Sequence, residues 1–171
     1  MGRLITFDMA QNGDDPSCVV ARTLGPAPFG GTRGVVDQVV VYRFGDRGKG
    51  YDWQSPRRQR DGTFQRPGNS QLNALALSQV RFGRKGDVGP DTPFVSVATS
   101  YQRLYTNGEP WVQDILGKVP DLGVFVVPFA CLMRPSINSH ATKVETEWLY
   151  YDGDREITHY LREWRANPYK A

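Results

Sequence analysis

The strongest hydrophobic signal along the chain is Val35-Val-Asp-Gln-Val-Val-Val-Tyr-Arg-Phe44, dense in β-branched and aromatic residues, which predicts a strand. Phe94-Val-Ser-Val-Ala98 predicts a second, after the turn-rich stretch Gly86 to Pro93. Leu122-Gly-Val-Phe-Val-Val-Pro-Phe-Ala130 is apolar on both faces, the pattern of a central, buried strand. A fourth apolar run, Trp148-Leu-Tyr-Tyr151, also reads as a strand. Helical spacing predicts three helices. The first covers Gln71 to Val80, with Asn69-Ser70 as cap candidates and Gly83 beyond its end. The second, Pro110 to Val119, places Trp111, Ile115 and Val119 on one stripe. The third, Arg155 to Arg165, is capped by Asp154 and buries Ile157, Tyr160, Leu161 and Trp164.

The segments between these elements are polar or turn-rich. Residues 1–34 read as a peripheral arm: a short apolar start, Leu4 to Phe7, leads into Asn12-Gly-Asp-Asp-Pro16 and Gly25-Pro-Ala-Pro-Phe-Gly-Gly31. Gly45 to Ser70 reads as a long loop carrying Arg57, Arg58, Arg60 and Arg66. Another loop, Met133 to Thr142, precedes the last strand signal. With no internal repeat or linker, the pattern predicts an α+β protein with a single domain over residues 35–171 behind the arm.

Composition narrows the classes. A chain of 171 residues, 39% hydrophobic and 12% aromatic, can bury a real core and is not of the disordered type. The net charge is +3, and arginine outnumbers lysine sixteen to five. Planar guanidinium groups suit phosphate recognition, but GC-rich codon usage explains the excess as well. Cys18 and Cys131 are too few for a disulfide framework or metal cluster; the alternatives are one bridge between them or, preferred, two independent thiols. His140 and His159 are the only histidines, which argues against a zinc enzyme, and no metal is expected. No apolar stretch approaches the roughly 20 residues of a membrane helix. The start lacks the basic-then-apolar pattern of a signal sequence, so the expectation is a soluble protein, cytoplasmic or delivered as a piece of a longer secreted one.

Only five glutamates occur, and Glu145 and Glu147 stand two residues apart just before Trp148. Residues i and i+2 of an extended segment point to one side, about 6–7 Å apart along it. Two carboxylates sharing one space repel each other and can divide acid/base and electrostatic roles. A solvated strand edge is the plain alternative for the pair, as an ordinary strand-end arginine is for Arg43.

Three features follow in order: Arg43 near the end of the first strand, Ser96 in an aromatic-x-Ser strand, and the Glu145/Glu147 pair opening a late strand. This set resembles the Arg-Ser-Glu, cholera-toxin-like class of mono-ADP-ribosyltransferases, over roughly residues 36–165. The family's strand usually reads Ser-Thr-Ser. Here either Ser96 is the family serine, which is preferred, or Ala98-Thr99-Ser100 is a degraded version of the motif. The resemblance implies a split, mixed β-sheet core of ADP-ribosyltransferase type with flanking helices and a cleft for NAD between two sheets. It implies that Arg43 clamps the NAD pyrophosphate, that Ser96 positions Glu147 and the nicotinamide ribose, and that Glu147 stabilises the oxocarbenium ion. Glu145 then serves the acceptor, with an arginine side chain as one target. The resemblance further implies a toxin or effector domain, a macromolecular acceptor favoured as protein over nucleic acid, and a cognate inhibitor or immunity protein as a partner class. The alternatives are an NAD glycohydrolase on the same scaffold and a basic nucleic-acid-binding module using the arginine loop. In Gly45-Asp-Arg-Gly-Lys-Gly50 the spacing and Ser/Thr of a phosphate-binding loop are missing.

Overall fold

A computed structural model describes residues 4–5, 38–68, 71, 72, 74–76, 79, 92–106, 108–133 and 147–171. The valine-rich run becomes β2 (Gln38–Gly45), preceded by the two-residue β1 (Leu4–Ile5), which pairs with it in parallel. Then come α1 (Pro56–Asp61), α2 (helical at 71, 72, 74–76 and 79), β3 (Phe94–Ala98), α3 (Tyr101–Thr106) and α4 (Pro110–Leu116). β4 (Asp121–Pro128), β5 (Leu132–Met133), β6 (Glu147–Tyr151) and β7 (Leu161–Ala166) complete the order. The protein is a mixed α+β structure. Six strands lie in the order β5-β6-β3-β2-β4-β7, every neighbouring pair antiparallel, and the sheet does not close.

The strands form one sheet, not the two expected, although its halves are barely joined. β2 and β4 share an unbroken ladder from Gln38↔Pro128 to Gly45↔Asp121, and β3 and β6 pair along all five residues. Between these halves β2 and β3 share a single register pair, Tyr42↔Ala98. The chain enters α3 soon after Ala98, and on the other side of that pair the two strands part.

Both faces are covered, which explains the apolar-on-both-sides pattern of β4. On one face Trp53, from a 3-10 turn at Gly50–Trp53, packs against Trp164 and Phe125 with ring centroids 4.8 and 5.9 Å apart. Gly123 makes room there, because a Cβ would lie 2.6 Å from the Phe125 ring and 3.1 Å from Trp164. On the other face Tyr101 of α3 meets Tyr42 edge-on at 5.0 Å, while Phe64 and Phe94 each pack 6.2 Å from Tyr151. Leu72 and Ala76 of α2 are fully buried in this core. Burying each large side chain contributes on the order of 1.5–3 kcal/mol.

Four further expectations need correction. The segment expected as a long loop holds the Gly50–Trp53 turn and α1, whose Ser55 caps it by accepting from the Arg58 N–H at 3.1 Å, with Pro56 in its first turn. α3 was not expected from the pattern at all. α4 ends at Leu116, short of Val119, and Ile115 is exposed rather than part of a buried stripe. The helix expected over Arg155 to Arg165 is a 3-10 turn, Ile157–Tyr160, followed by β7. The register explains the error: Trp164 pairs with Gly123 and Glu163 with Val124, but Leu161 pairs with Phe125, so Arg162 is an extra residue. That bulge turns Leu161 and Trp164 to the same face, three residues apart, as a helix would. Of the arm, only Leu4–Ile5 is described; Cys18 lies outside the described residues, and Cys131 is a free thiol. Among the described residues, no helix is long and apolar enough to cross a membrane.

Candidate functional site at the seam of the sheet

Arg43, Ser96 and Glu147 sit on β2, β3 and β6, three strands adjacent in the sheet. Tyr42, Ala98 and Glu147 form one row across it, with the single β2–β3 pair in the middle. Arg43 is one residue from that row and Ser96 two. All three therefore gather at the seam where the halves join.

Arg43 occupies the opening itself. Its Nε donates to the Asp52 carbonyl at 2.7 Å and its Nη1 to the Ser96 carbonyl at 2.6 Å. The side chain thus stands in for ladder bonds that the parted strands do not make. Asp52 is held in turn, its carboxylate accepting from the Asp46 N–H at 2.8 Å. Burial pushes the Arg43 pKa down, while the charges of Asp52 and then Glu147 push it back up. The Glu147 carboxylate is therefore within electrostatic reach of the guanidinium, which stays protonated in any case.

Alternation along the ladders separates the side chains. Tyr42, Ser96 and Glu147 share the face covered by α2 and α3, whereas Arg43 leaves β2 on the Trp53 face. Arg43 meets Ser96 through the backbone carbonyl, not the hydroxyl. The Ser96 hydroxyl belongs to a different network, accepting from Gln79 Nε2 at 3.0 Å, while the Thr92 hydroxyl donates to Gln79 Oε1. A single amide of α2 thereby fixes the serine. Ser100, in the alternative motif, has its hydroxyl at the start of α3, where it accepts from the Arg103 N–H at 3.3 Å.

Glu147 is half-buried and is the first residue of β6. The strand behind it is anchored by Trp148, which is 1% exposed and packs edge-on against Phe129 at 6.3 Å. Glu145 lies outside the described residues.

Chemically, the seam sets a positioned hydroxyl and a carboxylate on one face and a cation on the other, at a place where the sheet opens. Gln79, Thr92 and Asp52 were not expected as parts of it. Gln79 carried only a weak signal, a polar residue near the end of an amphipathic helix, and Asp52 acts through its carbonyl, which no side-chain motif reports. No family model, curated protein or solved structure matches the chain.

Proposed function

We propose that this chain is a mono-ADP-ribosyltransferase of the Arg-Ser-Glu class, built on a split sheet of ADP-ribosyltransferase type and using NAD as substrate. One observation carries the reading: Arg43, Ser96 and Glu147, far apart in sequence and singled out by type and order, lie within two residues of the single β2–β3 register pair, where the Arg43 guanidinium bonds the Ser96 carbonyl and feels the Glu147 charge. In this reading the bond between nicotinamide and the ribose breaks with its electron pair leaving on nicotinamide, and positive charge develops on the sugar. Glu147 stabilises that charge and bonds the ribose 2′-hydroxyl. Ser96, held by Gln79, keeps the carboxylate and ribose in place. Arg43 uses two of its five N–H groups to brace the seam and offers the remainder to the pyrophosphate. Glu145 faces the acceptor, a protein in preference to a nucleic acid, as in a toxin or effector.

The test is incubation with NAD labelled in its adenylate half, with and without cell extract. Label on protein is the expected result. Label on nucleic acid would change the acceptor, and free ADP-ribose alone would make the chain a glycohydrolase. Intact NAD under every condition would overturn the reading.

A further inference from the structure

The chain passes from β3 to β4 through α3 and α4, and neither helix contains a buried residue. Helices in proteins are stabilised mainly by burying an apolar face, so this pair docks on the sheet with little hydrophobic gain. Residues 167–171, directly after β7, supply other fastenings. Asn167 is buried and spends both side-chain N–H donors on the crossover, reaching the Leu116 and Val119 carbonyls at 2.7 Å each. The Leu116 carbonyl lies in the last turn of α4, where intrahelical donors run out, so the amide caps that helix from outside. The Asn167 main-chain N–H donates to the Pro120 carbonyl at 3.0 Å, and the Ala171 N–H to the Gly117 carbonyl at 3.3 Å. Asn167 Oδ1 accepts from the Tyr169 N–H at 2.9 Å, which fixes the turn that brings the Tyr169 ring to α3.

That ring stacks on Tyr105 of α3, with centroids 3.9 Å and planes 1° apart, and lies 6.5 Å from Tyr101 and 6.1 Å from Phe44 of β2. Tyr101 in turn meets Tyr42, one member of the β2–β3 pair. A single tyrosine therefore links the crossover to the sheet, beside the face that carries Ser96 and Glu147. We propose that residues 167–171 are a strap that holds the α3–α4 pair down as a lid over that face, and that releasing the strap lifts the lid. Its fastenings are a few hydrogen bonds and one stacked ring, separate from the strand ladders, so the lid can open while both ladders stay paired. The strap itself is independent of the substrate. That the lid admits NAD rests on the transferase reading.

Deuterium uptake followed by mass spectrometry on the whole chain tests the strap. Asn167→Ala removes two hydrogen bonds and should speed exchange across residues 101–118 about tenfold or more. Tyr169→Ala, which loses the stacked ring, should speed it severalfold and decides the matter alone if Asn167→Ala fails to fold. Peptides from β4 and β6 should exchange as in the wild type. Tyr169→Phe keeps the ring and should restore wild-type exchange, and Lys170→Gln, at an exposed side chain, should leave it unchanged. Steady-state kinetics connect strap to site: the alanine variants should change the KM for NAD more than kcat. Unchanged exchange over 101–118 in the alanine variants overturns the strap, as does acceleration spread equally over β4 and β6. Faster exchange with unaltered NAD kinetics overturns the lid. A wild-type chain that leaves NAD intact overturns the transferase reading instead, with exchange still deciding the strap.

Discussion

Conservative substitution should separate the roles of Glu147 and Arg43. Glu147→Gln keeps the shape and removes the charge, so NAD cleavage should fall about a hundredfold or more, equivalent to roughly 2–4 kcal/mol of barrier, with the melting temperature unchanged. Near-wild-type turnover would remove Glu147 from the chemistry. Arg43→Lys keeps the charge, but a compact ammonium cannot reach the Asp52 and Ser96 carbonyls together. One part-buried acceptor then goes unsatisfied, and urea unfolding should show a loss of about 1–3 kcal/mol besides any loss of NAD affinity. Unchanged stability would mean that the guanidinium does not brace the seam. At this scale, what was legible was residue type and order. The partners were not, because the bond from Gln79 to Ser96 depends on how α2 docks against β3, and no spacing within either segment encodes that.

Among elements, legibility followed the strength of a single periodicity. β2, β3 and β4 are dense in β-branched and aromatic residues. α1 was missed although Ser55-Pro56 is a good start signal, because its body, Arg57-Arg58-Gln59-Arg60, has no apolar stripe. β7 was misread because its bulge at Arg162 gives a strand the apolar spacing of a helix. That bulged edge depends on Gly123, opposite Trp164. Gly123→Ala should cost about 1–3 kcal/mol through the clash with the Phe125 and Trp164 rings, measured by thermal or urea unfolding. In a Trp164→Leu background the same change should cost less, and equal costs in both backgrounds would locate the strain elsewhere.

Over the whole molecule, the core carries acidic groups that resist ionisation. Burial pushes the Cys131 thiol up to about 12, and pushes the Tyr151 hydroxyl up to about 12 as well, with Asp154 adding in both cases. Tyr150, whose hydroxyl donates to the Arg155 carbonyl at 2.7 Å, is driven higher still, again chiefly by burial. Raised folded values mean that the unfolded chain releases these protons first. The associated stability is therefore complete below about pH 8.5–9 and is lost as pH climbs toward 12. Denaturation series at pH 7.5 and 10.5 should differ by on the order of 2 kcal/mol or more, and Tyr150→Phe should shrink the difference. A flat profile would show that these groups ionise freely in the folded state. Cys131 should likewise resist iodoacetamide at neutral pH, for want of thiolate.

The joint at Tyr42 and Ala98 also has a thermodynamic meaning. A sheet joined in the middle by one pair has little backbone pairing to lose there, so opening at the seam should leave both ladders intact although one hydrophobic core spans them. Native-state hydrogen exchange should accordingly resolve two isotherms, one for the amides of β2, β4 and β7 and another for those of β3 and β6. Denaturant should bring them together only at global unfolding. The seam would then be the line along which the molecule breathes, and a ligand bridging both halves would act as a clasp, merging the two isotherms into one.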